Sequence, residues 1–217
     1  MSEPVAKQPS ILGLSTSSAV MMVVFTVVFT GLMAGTYKAT HATIAKSAED
    51  EQLRLINDVL PPSSYDNRLL KDSVALGPTP ELGLAAGGHV WRARKDGKPV
   101  ALVLEAVAPD GYAGAIHLVI AVQADGTIGG VRVTEHRETP GLGDYIDPKK
   151  DKSKSGPWID QFRGKSFATI PPERWKVKKD GGEFTYRAGA TISPRAVTNA
   201  VARALQYVQA HREELYR

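Results

Sequence analysis

The chain has 217 residues, 42% of them hydrophobic and 23% charged, with a formal net charge of +4 at neutral pH. That balance excludes a disordered chain, and the length leaves no room for several membrane spans beside a folded domain. Basic charge this mild and dispersed argues against a nucleic-acid partner, and the lack of cysteine excludes disulfides, thiolate metal sites, Cys-ligated iron–sulfur clusters and a cysteine nucleophile.

No residue is charged between Lys7 and Lys38, and Ala19–Met33 is almost wholly apolar. About 20 helical residues cross a bilayer core. Residues 10–37 therefore read as one transmembrane anchor in a lipid bilayer, behind a short tail over residues 1–9. A cleaved signal peptide is the alternative, but the run is long for one and no A-x-A site follows at Ala34 or Ala39. Lys7 on one side balances Lys38 and Lys46 on the other, so charge does not set the orientation. Thr43–Leu60 reads as helix, with Leu53, Ile56 and Leu60 on one face and Pro61-Pro62 ending it, so residues 38–61 are expected to form a stalk.

Pro62–Gly88 is rich in turn residues. Four strands are expected next: His89–Lys95, Val100–Ala108, Ala115–Gln123 and Thr127–His136, with turns at Asp96-Gly97 and Asp125-Gly126. Arg174–Lys178 and Glu183–Arg187 suggest a shorter strand pair. Pro148–Pro157 reads as a solvated loop, and Trp158–Phe162 as a short helix with an aromatic side inward. The last helix is expected from Pro194 to about Glu214, with Ser193 as its N-cap and Pro194 at N1. Its apolar stripe is Val197, Val201, Leu205, Val208 and Leu215. Residues 62–217 thus make one α+β domain, an antiparallel twisted sheet with packed helices.

Three segments could carry chemistry. Arg187–Arg195 leads from a strand into the last helix, whose first turn offers unpaired N–H groups and a positive dipole end to a phosphate. Small Gly189 and Ala190 admit a bulky group, Thr191 presents a hydroxyl and Arg195 a forked cation. The plain alternative is a strand-to-helix turn. Glu138-Thr139-Pro140-Gly141-Leu142-Gly143 offers backbone donors, a carboxylate and one apolar side chain, which suits a flat polar ring or simply a surface turn. Tyr112, between Gly111 and Gly114, could stack on a cofactor or pack under the sheet. His136 has no second histidine at ligand spacing, so no metal is expected.

Taken together, Ala188-Gly-Ala-Thr191-Ile-Ser193, Glu138–Gly143, Gly111-Tyr-Ala-Gly114 and Val59-Leu-Pro with Tyr65-Asp-Asn67 stand in one order. They resemble the G subunit of the Rnf electron-transport complex, called Rsx in some bacteria, over almost the whole chain. The likeness to the C subunit of the sodium-translocating NADH:quinone reductase is more distant. The resemblance implies FMN joined through its phosphate to Thr191 by a separate flavin transferase that uses FAD. It also implies an isoalloxazine lying against the 138–143 loop, with Tyr112 on its other side.

By the same resemblance the chain is an electron-carrier subunit in the bacterial inner membrane, its soluble domain facing the periplasm. Other membrane subunits would couple electron flow between ferredoxin and NAD to ion translocation. No side chain is expected to act as an acid, base or nucleophile on a substrate. Two positions depart from the family motif: Ala188 stands where Ser or Thr is usual, and Thr185 where Asp often stands. They are the features behind the rival expectation, a non-flavinylated structural subunit of such a complex.

Overall fold

The computed structural model describes residues 11–217. The tail expected over residues 1–9, and Ser10 at the start of the span, lie outside the described residues. The chain divides into two compact units between Asp50 and Glu51.

The described residues of the first unit all belong to one helix, α1, which runs over Ile11–Val59. The helix is continuous between the residues expected as anchor and as stalk: Tyr37–Ala42 holds neither Gly nor Pro, so nothing interrupts the hydrogen-bond ladder. Large apolar side chains from Val20 to Met33 are all exposed. Hydroxyls on this helix are tied back to the backbone, Thr26 to the Met22 carbonyl (2.7 Å) and Thr40 to that of Thr36 (2.8 Å). Within the expected span, the Thr26 bond would lower the cost of placing its hydroxyl in hydrocarbon. Ser15–Val59 contains a stretch long and apolar enough to cross a membrane.

The second unit is built on five antiparallel strands in sequence order: β1 (Ser73–Leu76), β2 (Gly88–Lys95), β3 (Lys98–Ala108), β4 (Ile116–Gln123) and β5 (Ile128–Glu135). The four expected strands are all present, and β1 is an addition. Its four residues are too short a run to stand out from the loop around them. It is held as an edge strand by neighbours rather than by its own pattern. Asp72, just before it, accepts from Arg94 Nε (2.8 Å). The Asn67 amide pairs with β2, donating to the Arg92 carbonyl (2.8 Å) and accepting the Arg94 N–H (2.9 Å). The Tyr65-Asp-Asn67 motif is therefore a latch on the sheet edge. At the β2–β3 turn both Asp96 (φ 50) and Gly97 (φ 71) are left-handed, as a two-residue hairpin requires.

Alternation along the strands makes two apolar layers. One face, including Val90, Leu102, Leu104, Leu118, Ile120 and Val131, packs on helix α2 (Ile192–Tyr216) through Val197, Val201, Leu205 and Val208. The other face, with Trp91, Val103, Val119 and Ala121, is covered by Ile56, Val59 and Leu60 at the end of α1 and by Leu69. The stripe expected on the last helix is thus its buried side.

The expected strand pair at 174–187 does not form, and only an isolated bridge joins Val177 to Phe184. Pro171-Pro172 and Gly181-Gly182 bend the segment into 3-10 turns at Pro172–Arg174 and Lys178–Asp180. Trp175 and Phe184 are buried in an aromatic cluster with Phe162 and Phe167. Side-chain burial holds this stretch together with irregular backbone bonds between its two halves, the Lys178 N–H to the Phe184 carbonyl (2.7 Å) and the Phe184 N–H to the Lys176 carbonyl (3.1 Å). Trp158–Phe162 is the expected short helix, a 3-10 turn with Trp158, Ile159 and Phe162 buried.

Candidate flavin site

Helix α2 starts two residues earlier than its proline suggests. Thr191 is the N-cap (φ −93°, ψ −26°), and Ser193 and Pro194 lie inside the first turn. Pro194 still costs nothing, since N–H groups of a first turn have no acceptor within the helix. The Ser193 hydroxyl does not cap. It donates instead to Glu138 Oε2.

Glu138 is 3% exposed. Its other oxygen accepts the Ala113 N–H (3.0 Å). One carboxylate thus brackets three segments: the 110–114 connection after β3, its own loop after β5, and the start of α2. Beside it Gly143 has no room for a side chain, because a Cβ there would lie 2.4 Å from Ser193 Oγ and 3.0 Å from Glu138 Oε2. The loop closes on itself as the Thr139 carbonyl accepts the N–H groups of Leu142 (3.1 Å) and Gly143 (3.2 Å). Gly141 takes the left-handed conformation of that turn, and its N–H donates to Asp144 Oδ1 (2.9 Å).

Between these segments lies an open cavity of about 230 Å³. Tyr112, Glu138, Thr139, Leu142, Gly143, Gly189, Ala190 and Thr191 line it, together with Ile192 and Ser193. Most of the residues singled out in the sequence therefore meet at one place. Gly141 shapes the turn without lining the cavity. Arg195 is turned away, its guanidinium holding Asp180 through Nε (2.6 Å) and Nη2 (2.8 Å). That bond holds the Asp180 carboxyl below its ordinary range and pushes Arg195 further up. The expectation that Arg195 supplies the phosphate's cation is thus replaced by a surface ion pair.

Among the described residues of the second unit, the large apolar side chains left exposed are Tyr112 (67%), Leu142 (53%) and Ile192 (43%). All three face this one cavity. Thr191 is 9% exposed, and its side chain makes no capping hydrogen bond. A free hydroxyl at a helix N-terminus beside three uncovered apolar groups matches a flat ring with an anionic tail, so the residues present fit a flavin mononucleotide.

Tyr145 and the Asp151–Arg187 pair, which sequence reasoning passed over, brace the approach to Thr191. Asp151 binds the Arg187 guanidinium, which lies 4.3 Å from the centre of the Tyr145 ring. Burial pushes the Asp151 carboxyl up. The N–H groups of Trp158 (2.7 Å) and Ser153 (2.8 Å), with Arg187, outweigh this and leave it below its ordinary 3.8. A depressed folded pKa stabilises the fold above the ordinary value and stops doing so as pH falls through the folded one. Wild type is accordingly expected to lose its stability advantage over Asp151→Asn as pH drops below about 3.8, and a constant advantage in acid titrations followed by tryptophan fluorescence would refute this. The one cue in the sequence was an aromatic and an acid set within otherwise solvated loops.

A five-stranded antiparallel sheet with an open cleft at a helix N-terminus defines the class as an α+β ligand-binding domain. The FMN-binding domain family matches residues 111–206, and the RnfG N-terminal region matches residues 15–59. Similar curated proteins are each named as the G subunit of an ion-translocating oxidoreductase complex. That of Pseudomonas aeruginosa (strain UCBPP-PA14) is 44% identical over 91% of this chain and 90% of its own length. That of Escherichia coli (strain K12) is 49% identical over 83% and 84%, and that of Vibrio cholerae (serotype O1, strain M66-2) 40% over 92% of each. The chain belongs to this family of G subunits.

Proposed function

We propose that the protein is a membrane-anchored electron-carrier subunit whose FMN is bound covalently through its phosphate to Thr191. The observation that carries this is the uncommitted Thr191 hydroxyl at the α2 N-terminus, inside the cavity that gathers the exposed apolar groups Tyr112, Leu142 and Ile192. The phosphodiester would keep one negative charge, which the first-turn N–H groups of Ile192 and Ser193 favour. Gly189 and Ala190 leave the approach clear, and the 138–143 loop with Tyr112 would flank the ring. Bound FMN supplies the redox chemistry, while the chain holds it and leaves an edge open to partners.

Attachment by a flavin transferase would use FAD. Thr191 Oγ1 bonds to the phosphorus that bears the riboflavin, the pyrophosphate P–O bond breaks, AMP leaves with the bridging oxygen, and the hydroxyl proton passes to the transferase. In this reading residues 10–37 anchor the chain in the inner membrane, 38–61 form the stalk and the remainder lies in the periplasm. The other subunits of the complex couple electron flow between ferredoxin and NAD to ion translocation.

The intact mass of the full chain, purified from cells with an active transferase, tests this. An increment of FMN minus water is expected, with a fluorescent band after denaturing electrophoresis. A bare mass would instead support the structural subunit. That rival draws on Thr185, whose N–H and hydroxyl are both spent on Gln161 Oε1 (2.8 and 3.0 Å), and on Ala188.

A further inference from the structure

Tyr145 lies two residues past the 138–143 loop, in the 3-10 turn Asp144–Ile146, and is 2% exposed. Its hydroxyl stands across the mouth of the Arg187–Ala190 turn. It accepts the Arg187 N–H (3.0 Å) and donates to the Ala190 carbonyl (3.1 Å). The turn itself is closed by the Ala190 N–H on the Arg187 carbonyl (3.1 Å), with Gly189 at φ +83°. The ring is fixed independently, between the Arg187 guanidinium and the edge-on Trp158 at 5.8 Å. Burial pushes the phenol pKa up, so the hydroxyl keeps its proton at neutral pH and can donate.

Position in the chain adds the rest. Asp144, the preceding residue, accepts the Gly141 N–H, so two adjacent side chains tie the loop that flanks the cavity to the turn that ends at Thr191. Ala190 is the last residue pinned before the reactive hydroxyl.

We propose that Tyr145 is a positioning residue for flavin attachment: its hydroxyl sets the Arg187–Ala190 turn against the 138–143 loop and so holds Thr191 Oγ1 in line for attack. This rests on the assignment of Thr191 as the attachment point. Tyr145 touches none of the reacting atoms. Its effect is on alignment, where a displacement of about 1 Å costs on the order of 100-fold in rate.

The experiment follows the mass of the full-length chain in detergent over time, with purified transferase and FAD, at several chain concentrations. Tyr145→Phe keeps the ring, its arginine contact and its edge contact with Trp158, and loses only the hydroxyl. It is expected to fold, to be modified with a kcat lower by roughly 10- to 100-fold, and to keep the wild-type KM for the chain. An unchanged kcat, an effect on KM alone, or a variant that does not fold would each overturn the proposal. The last would make the hydroxyl a requirement of the fold. Wild-type chain left bare removes the Thr191 assignment and this inference together, whereas modified wild type with an equally fast Tyr145→Phe removes this inference alone.

Discussion

Thr191→Val is expected to remove the entire FMN increment from the intact mass while leaving the fold in place. Valine keeps the β-branched shape and deletes only the hydroxyl. An N-cap side chain that bonds to the first turn is worth about 1 kcal/mol. The Thr191 side chain makes no such bond, and its backbone carbonyl accepts the Arg195 N–H (3.1 Å) whichever side chain is present. Melting temperature should therefore shift little, while covalent flavin falls to nothing. Thr191→Ser restores the oxygen and is expected to recover the increment. A flavin increment persisting on Thr191→Val would place the bond on another residue and end the assignment.

Glu138→Ala is expected to be the most destabilising change at the site. The carboxylate accepts the Ala113 N–H and the Ser193 hydroxyl inside the protein. Removing it strands both donors, at about 1–3 kcal/mol each, against a total stability of about 5–15 kcal/mol for a typical protein. A cavity is left beside Gly143 as well, where the packing is too close for a Cβ. Thermal melting of the full chain should show a large drop, and noncovalent FMN binding should weaken with it because two walls of the cleft part from the third. Glu138→Gln separates charge from hydrogen bonding. Its amide oxygen can accept from Ala113 and its NH2 can donate to Ser193 Oγ, so most of the stability should return. A melting curve for Glu138→Ala that overlays wild type would show that the bracket does not hold the site.

Much of the second unit could be read from the chain because its signals are local. Asp-Gly turns at 96–97 and 125–126, alternating apolar positions and a 3.6-residue stripe each depend on near neighbours. The misreadings share one cause. At 174–187 two short segments read as a strand pair, but Trp175 and Phe184 are buried in an aromatic cluster instead of a regular ladder. Ser193 looked like a cap because it precedes proline, yet its hydroxyl serves Glu138, 55 residues earlier. Arg195 looked free for a phosphate until Asp180, 15 residues back, was brought against it.

By sequence alone, the apolar segment before Lys38, the sheet's hairpin order and the hydroxyl ahead of the last helix were already determined, since residue type and short spacing decide them. Only the tertiary structure decided that Tyr112, Leu142 and Ile192 share one cavity and that Tyr145 spans the turn before Thr191. It also decided that Glu138 joins three segments. Those relations join residues tens of positions apart, and packing of the sheet against α2 is what brings them within bonding distance.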